Sequence, residues 1–268
     1  MLKTEQRNEN SIHIDKMQTK QMLEVIQKEN ENAVRAVADA IDEIAEVIDK
    51  ISARMSKGGR LFYIGCGTSG RLGVLDASEC PPTFGVSGDV VIGIIAGGDN
   101  ALRNAVENSE DNYEAGKSDL CRYNLTENDS VIGISVAGGA EYVVGALDAA
   151  KTVGAFTVAL TCNKNTKIAE ICDFEILTDT GAEVITGSTR MKAGTAHKMV
   201  LNMISTTVMV QAGYVYENLM INLKPSNNKL RDRMIRIVSE ITGKTYSESE
   251  QLLIKNDFNI KNSIDTLT

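Results

Sequence analysis

A short apolar run followed by a glycine-rich turn constrains this chain more than any other feature. Residues 61–64 read Leu-Phe-Tyr-Ile and predict a buried strand, which stops at Gly65-Cys66-Gly67-Thr68-Ser69-Gly70 before a helical run begins. Glycine lets the backbone approach a ligand closely, and the free N–H groups at a helix start attract anions, most often phosphate. The stretch therefore predicts a strand, a turn and a helix that bind an anionic ligand.

Polar side chains in and after this turn strengthen the prediction. Thr68 and Ser69 add hydroxyl donors, and Arg71 adds a fixed positive charge. Together with Gly67 they form the first set of candidate substrate-binding residues.

The glycine spacing also satisfies the fingerprint of dinucleotide-binding proteins, as Gly65-x-Gly67-x-x-Gly70. That fingerprint requires an acidic residue about 20 positions on, at the end of the next strand, to hold a ribose hydroxyl. The next predicted strand covers 90–96, and Asp99 follows it several residues too late. A nicotinamide or flavin oxidoreductase is therefore the less favoured interpretation.

Apolar runs and helical patterns alternate through the middle of the chain. Strands are predicted at 61–64, 90–96, 131–136, 156–161 and 174–177, and helices at 101–117, 142–153 and 191–210. This alternation predicts an α/β fold, a Rossmann-like three-layer sandwich in which a parallel sheet has helices on both faces. Ligands in such sheets bind beyond the carboxyl ends of the strands, where the loops at 65–70, 97–99, 137–140 and 186–190 should lie.

The two ends of the chain differ from this middle part. Residues 1–18 are polar and irregular and are expected to form a loose terminus, whereas 19–55 predict two helices with a break near 30–32. Residues 215–268 predict a small helical tail. The expected division is a helical N-terminal extension at 1–50, a ligand-binding α/β domain at 51–214 and the tail at 215–268.

Composition excludes several classes of function. The 268 residues carry a net charge of −8 without a basic cluster, which argues against nucleic acid as a partner. No apolar run approaches 18 residues and no apolar signal core opens the chain, so a cytoplasmic protein without a membrane partner is expected. Five scattered cysteines and two histidines predict reduced thiols and no metal site.

Two adjacent motifs are specific: Gly-Cys-Gly-Thr-Ser-Gly-Arg-Leu-Gly at 65–73 and Asp-Ala-Ser-Glu-Cys-Pro-Pro-Thr at 76–83. They resemble the signature of the N-acetylmuramic acid 6-phosphate etherases, which belong to the sugar isomerase (SIS) superfamily together with the glucokinase regulatory protein. The resemblance continues through 94–98, 105–111, 186–196 and 218–220, in the order of the family, and so covers most of the chain.

This resemblance implies an activity and a set of catalytic residues. The family cleaves the lactyl ether at C3 of N-acetylmuramic acid 6-phosphate by elimination and hydration, giving N-acetylglucosamine 6-phosphate and D-lactate. The reaction needs one base and one acid and no cofactor. The two catalytic glutamates of the family fall on Glu79 and Glu110. The family is dimeric, so a homodimer with a sugar phosphate as its ligand is expected.

The residues themselves give these two glutamates different settings. Glu79 follows a helical run that Pro81-Pro82 should stop, so it is expected near a helix end among apolar neighbours, a setting that suits a general acid. Glu110 belongs to a set of acidic residues three and four apart, which predicts one face of a helix. A solvated surface is the alternative interpretation of that face.

A second cluster of candidates precedes the long helix predicted at 191–210. Ser188, Thr189, Arg190 and Lys192 could meet the phosphate or the lactyl carboxylate. The alternatives are a helix cap for Ser188 or Thr189 and a solvated surface for Lys192. His197 has no partner in the sequence and is left outside the site.

One loop departs from the family. After the third strand the etherases carry Ser-Gly-Arg-Thr-Pro, whereas this chain has Ala-Gly-Gly-Ala-Glu at 137–141. Two hydroxyl donors and a cation are absent, and Glu141 adds a carboxylate at the helix start where the phosphate would be expected. A non-catalytic regulator that binds a sugar phosphate is therefore the second interpretation, in line with the kinship to the glucokinase regulator.

Overall fold

A computed structural model describes residues 1–225 and 227–265. Its centre is a five-stranded parallel sheet in the order β2-β1-β3-β4-β5. The strands are β1 (Leu61–Gly65), β2 (Val91–Ile95), β3 (Ser130–Ile134), β4 (Phe156–Thr161) and β5 (Phe174–Leu177). All five predicted strands are confirmed, and the α/β fold with them.

Helices cover both faces of this sheet, as predicted. They are α1 (Thr19–Asp39), α2 (Ile41–Met55), α3 (Gly67–Phe84), α4 (Asn100–Arg103), α5 (Tyr113–Cys121), α6 (Glu141–Thr152), α7 (Lys167–Ile171) and α8 (Lys192–Gln211). Alternate residues of a strand point to opposite faces, so Tyr63 packs with α1, α2, α3 and α8 while Phe62 packs with α5 and α6. Two apolar cores result, one on each side of the sheet.

The break in the N-terminal helical region lies elsewhere than predicted. Helix α1 runs without interruption through 30–32 and ends at Asp39, and Ala40 separates it from α2. Asparagine is compatible with a helix interior when its side chain finds a partner, and Asn32 donates to Glu29 of the same helix at 3.1 Å. The expected boundary after residue 50 falls inside α2, and the division into three parts stays a prediction.

Residues 3–11 are fixed to the rest of the chain, so the expectation of a loose terminus is wrong for this part of 1–18. Three short 3-10 helices form at Lys3–Glu5, Glu9–Ser11 and Ile14–Lys16. Thr4 is fully buried, and its hydroxyl accepts a 2.9 Å hydrogen bond from Asn163. The Ser11 hydroxyl donates to the Val184 carbonyl at 2.7 Å. The polar side chains, which suggested a loose terminus in the sequence, therefore form hydrogen bonds to the rest of the protein.

The C-terminal part is mainly helical, as predicted, and has a small apolar core of its own. A two-stranded hairpin of β6 (Val215–Tyr216) and β7 (Leu219–Met220) precedes its helices. These are α9 (Asn228–Thr242), α10 (Tyr246–Lys255) and α11 (Ile260–Asp265). Positions 226 and 266–268 of the predicted tail lie outside the described residues. No helix in the described part of the chain is long and apolar enough to span a membrane.

Candidate active site

A crevice lies where the order of the sheet reverses. From β1 the chain crosses through α3 to β2 on one side, whereas β3 pairs with β1 on the other side. The carboxyl ends of β1 and β3 therefore open between diverging connections, which is where ligands bind in sheets of this type. The turn before α3 and the loop at 135–140 form the walls of this crevice.

Helix α3 begins directly after β1 and presents free backbone donors to the crevice. Cys66 precedes the helix and no side chain caps it, while Gly67 has a φ of +52°. A Cβ at Gly70 would lie 2.5 Å from the Gly65 carbonyl oxygen, so this tight turn requires glycine there. The helix start on which the predicted anion site depends is thus present in the fold, with its N–H groups uncapped.

The start of α8 lies beside the start of α3. A Cβ at Gly194 would approach the Thr68 methyl carbon to 3.4 Å, and the Gly194 N–H donates to the Thr189 carbonyl at 3.1 Å. The structure therefore brings Thr68 and Ser69 of one helix together with the loop at 186–191. In that loop Ser188 and Thr189 are half-buried and Arg190 is exposed.

Neither Ser188 nor Thr189 caps α8, so that interpretation is wrong. A buried carboxylate does so instead, because Glu183 Oε1 accepts the N–H of Ala193 at 3.0 Å. Burial raises the pKa of Glu183 above its ordinary value, although hydrogen bonds from Ala193 and Lys192 oppose that shift. Sequence reasoning missed Glu183 because a cap nine residues before a helix start leaves no local pattern.

Lys192 is buried, and the interpretation as a solvated surface residue is wrong. Its Nζ lies 2.5 Å from Glu29 Oε2, and both side chains are only 3% exposed. Asn10 donates to the other oxygen of Glu29 at 2.8 Å. Burial alone would raise the pKa of Glu29, but the hydrogen bonds from Lys192, Asn10 and Asn8 together lower it. The ammonium group is thus committed to a partner in α1.

Arg71 also uses part of its guanidinium group for hydrogen bonds within the protein. Its Nε donates to the Leu102 carbonyl and its Nη2 donates to the Asn104 carbonyl, both at 3.1 Å. These bonds join α3 to the beginning of the segment that leads to Glu110. Arg71 therefore positions the segment at 104–112 through these two hydrogen bonds.

The helix predicted at 101–117 is wrong, and with it the single acidic face. Helix α4 ends at Arg103 and α5 starts only at Tyr113, so Glu110 lies in an irregular segment. Asn108 within this segment adopts a left-handed φ of +59°, and Asn112 caps α5 by accepting from Ala115 at 3.0 Å. Asparagine favours such caps and turns over helix interiors, which explains the break.

The irregular segment holds Glu110 at the crevice. The N–H of Tyr142, at the start of α6, donates to the Glu110 carbonyl at 2.9 Å. The Glu110 side chain is exposed, yet its charge acts on the first turn of α3. Burial, together with the negative charges of Glu110 and Asp111, raises the pKa of the Cys66 thiol to about 12. The carboxylate therefore lies near the start of α3.

Glu79 lies far from that point in the same subunit. Helix α3 continues through Pro81 and Pro82 to Phe84 and ends at Gly85, which has a φ of +65°. The predicted stop at the prolines is wrong: the helix continues for one more turn, although neither proline has an N–H to donate to a carbonyl four residues earlier. Glu79 is exposed, so the expected burial of its carboxyl group is wrong. It follows Gly67 by twelve residues, or roughly 18 Å of helix.

The divergent loop has a compact structure of its own. Ser135 Oγ accepts the N–H of Gly138 at 3.0 Å, and Gly138 packs with a φ of +71° against Thr166. Glu141 forms an ion pair with Lys167, which is the first residue of α7. The carboxylate at the start of α6 is therefore partly neutralised, and Lys167 is a cation near the crevice that sequence reasoning missed.

Two other predictions about side chains are consistent with the structure. All five cysteines are free thiols. His197 is fully buried, with Nε2 3.4 Å from Cys162 Sγ, and burial lowers the pKa of its imidazole to about 4. It lies on α8 and packs against the residue that follows β4.

Comparison with known proteins decides the family. The glucokinase regulatory protein N-terminal SIS domain matches residues 43–151, and the SIS domain matches residues 103–220. N-acetylmuramic acid 6-phosphate etherase of Caldanaerobacter subterraneus subsp. tengcongensis is 55% identical over 261 residues, covering 97% of this chain and 85% of the relative. The etherase of Lactobacillus gasseri is 50% identical over 95% of this chain and 86% of the relative. The chain belongs to the N-acetylmuramic acid 6-phosphate etherase family.

Solved structures support the SIS fold of this etherase family member. A phosphoheptose isomerase from Francisella tularensis aligns with a TM-score of 0.55 at 16% identity, covering 73% of this chain and all of that chain. The protein c3406 of E. coli CFT073 aligns with a TM-score of 0.54 at 19% identity over 75% of this chain and 97% of that chain. At these identities the likeness concerns the fold alone.

Proposed function

We propose that this protein cleaves the lactyl ether of N-acetylmuramic acid 6-phosphate to N-acetylglucosamine 6-phosphate and D-lactate. The observation that carries the proposal is the 55% identity to an etherase across nearly the whole chain, with both candidate glutamates retained. A sugar phosphate fits the crevice because the uncapped N-terminus of α3 offers N–H groups and the hydroxyls of Thr68 and Ser69 to an anion.

The reaction divides into two steps on the open-chain sugar. A base removes the C2 hydrogen, which is acidic because C1 is an aldehyde, and the C3–O bond breaks as an acid protonates the departing lactate oxygen. Water then adds to C3 of the unsaturated aldehyde, and a proton returns to C2. Glu110, held beside the anion site by Tyr142, is assigned as the base and Glu79 as the acid.

The distance along α3 between its N-terminus and Glu79 supports an active site that two subunits of a homodimer share. The sugar of one phosphate-bound substrate does not span roughly 18 Å of helix. In the proposal, Glu79 of one subunit acts on a substrate whose phosphate binds at the α3 N-terminus of the other subunit. Exposure of Glu79 in the single chain fits this assignment, since a partner would cover it.

Mixed dimers test both the activity and its sharing. Glu79→Gln and Glu110→Gln homodimers should release no D-lactate, whereas mixing them after denaturation and refolding should restore roughly a quarter of wild-type turnover, since about half of the random dimers are mixed and carry one intact site. Wild-type protein that releases no D-lactate would refute the etherase. Mixed dimers that stay inactive would refute only the sharing.

A non-catalytic regulator is the second candidate, and the loop at 137–141 favours it. This loop lacks hydroxyl side chains and carries Glu141 in the first turn of α6. Tight binding of N-acetylglucosamine 6-phosphate without any D-lactate release would favour the regulator over the enzyme. The cytoplasmic location expected from the sequence stays a prediction.

A further inference from the structure

The substrate of the proposed reaction has two negatively charged ends, and the crevice accounts for one of them. The α3 N-terminus suits the phosphate. The lactyl carboxylate lies at the other end, on the leaving group, and therefore close to the acid that protonates the ether oxygen. A cation near Glu79 would bind this carboxylate and distinguish the substrate from sugars without a lactyl group.

The candidates suggested by sequence do not supply that cation. Lys192 is buried against Glu29, and Arg71 donates to backbone carbonyls at 102 and 104. Arg190 is exposed beside the start of α3, where the phosphate is expected to bind, and is therefore assigned to the phosphate. The requirement for a second cationic position directs attention to the other end of α3.

A cavity of about 420 Å³ lies at that end, between the last turn of α3 and the start of α9. The segment before α9 is fixed to α3, because Asn222 Nδ2 donates to the Phe84 carbonyl at 2.7 Å. Its backbone passes so close that a Cβ at Gly85 would lie 1.7 Å from the Asn222 oxygen. The cavity thus has one wall from each element, with apolar surface from Pro81, Pro82, Val86, Leu223 and Leu230.

Three cations line this cavity: Lys224, Lys229 and Arg233. In the described part of the chain none of the three side chains forms an ion pair, whereas two other arginines of α9 do. Arg231 pairs with Glu250 at 2.9 Å and Arg236 pairs with Asp232 at 2.8 Å. Within the described residues, three cations without an ion-pair partner give this cavity a positive wall, in a protein of net charge −8.

Glu79 does not line this cavity but precedes its wall on α3 by about one helical turn. Pro82 follows Glu79 by three residues on α3, so both lie on one face of the helix about one turn apart. An anion held by Lys229 and Arg233 would therefore sit next to the proposed acid. Resting on the proposed function, we propose that this cavity binds the lactyl carboxylate, and that Lys229 and Arg233 determine specificity for a lactyl-bearing sugar.

The test compares two ligands that differ by the lactyl group. Lys229→Gln/Arg233→Gln is placed in a Glu110→Gln background, so that bound substrate is not consumed. Calorimetry then gives the affinity for N-acetylmuramic acid 6-phosphate and for N-acetylglucosamine 6-phosphate. Affinity for the former should fall at least tenfold, while affinity for the latter should stay within about twofold, because only the former carries the carboxylate. Arg236→Gln, on the same helix but outside the cavity, is the matched control and should change neither affinity.

Each result decides the proposal. If the affinities for both ligands fall equally, the cations bind the phosphate or stabilise the end of α3. If neither affinity changes, the cations bind neither ligand. Either result overturns the proposal. If the double variant does not fold, binding of N-acetylmuramic acid and N-acetylglucosamine is compared in the background protein, where equal affinities would overturn it. Lactate release by the wild type is measured separately and decides the proposed function alone.

Discussion

The backbone N–H of Tyr142 donates to the backbone carbonyl of Glu110 across 2.9 Å. This bond joins the start of α6 to the irregular segment that follows α4, and places the proposed base beside the sheet crevice. Because the backbone of Glu110 is held while its side chain is exposed, changes to that side chain should affect chemistry more than folding.

Glu79→Gln should abolish D-lactate release and leave the fold and ligand binding nearly intact. The side chain is exposed, so the amide replaces the carboxyl group without leaving a buried polar group unpaired. Loss of a general acid lowers turnover roughly 10²–10⁴-fold. Turnover is measured by D-lactate release and binding by calorimetry. Retention of more than about a tenth of wild-type turnover would rule out the acid role.

Glu110→Gln should stop exchange of the hydrogen at C2. If Glu110 removes this proton, wild-type reaction in deuterium oxide places deuterium at C2 of the product, which mass spectrometry detects. The variant should incorporate no label into substrate or product during the same time. Glu114→Gln, an exposed acidic residue in the first turn of α5, is a suitable control. Labelling at the wild-type rate in Glu110→Gln would show that Glu110 is only a solvated surface residue.

Restoring the family's loop residues should strengthen phosphate binding. Ala137→Ser/Ala140→Thr/Glu141→Pro adds two hydroxyl donors and releases Lys167 from its ion pair. Proline is well tolerated at the first position of a helix, which Glu141 occupies in α6. Affinity for N-acetylglucosamine 6-phosphate should rise at least tenfold, or about 1.4 kcal/mol.

The change should appear mainly in KM, because ground state and transition state hold the phosphate alike. Calorimetry against N-acetylglucosamine 6-phosphate and its unphosphorylated sugar gives the comparison. Lys167→Met in the triple variant shows how much of the gain the released cation supplies. A parent protein that already prefers the phosphorylated sugar strongly, with no gain in the variant, would show that other residues hold the phosphate.

Lys192→Met should destabilise the fold by about 3–5 kcal/mol, since it leaves Glu29 as a buried charge without its partner. The pair at 2.5 Å is nearly inaccessible to solvent. Urea denaturation measures the free energy of unfolding. Lys20→Met breaks an exposed pair with Glu24 on the same α1 and should change stability by less than about 1 kcal/mol. Similar values for the two variants would contradict the structural role of Lys192.

The same pair gives a pH dependence with a definite sign. The folded-state pKa of Glu29 lies below the ordinary value of 4.5, so its contribution is fully present above about pH 4.5. That contribution is lost as pH falls through the lower folded-state pKa. The stability difference between wild type and Lys192→Met should therefore narrow on acidification. Denaturation curves between about pH 3 and 7 measure this difference. If the difference in the free energy of unfolding does not change with pH, Glu29 is not its cause.

The sequence was sufficient wherever structure follows from a local pattern. Strands β4 and β5 have the predicted bounds, since continuous apolar runs end at turn residues there. The turn before α3 was predictable because its glycines specify a close backbone approach that other residues cannot make. Family resemblance then added the two glutamates, which local patterns alone do not distinguish from surface residues.

Long-range contacts explain what the sequence did not reveal. Lys192 and Glu29 are 163 positions apart, and nothing near either residue indicates that they are paired and buried. Asn30 and Asn32 resemble a helix break, but tertiary packing of α1 against α8 keeps the helix continuous. The opposite occurred at 104–112, where a periodic acidic pattern suggested a helix that asparagine turns prevent.

The contacts that fix the first eleven residues have a practical consequence for handling the protein. Met1 is 99% exposed, so an affinity tag attached there should not disturb the fold. Removal of residues 1–11 is a different matter, because Asn10 is a hydrogen-bond donor to Glu29 and Ser11 is a donor to the Val184 carbonyl. A protease that trims this segment would thereby loosen the chain just ahead of the loop that carries Ser188 to Arg190. If specific activity differs between preparations of the protein, mass spectrometry should first establish whether the N-terminus is intact.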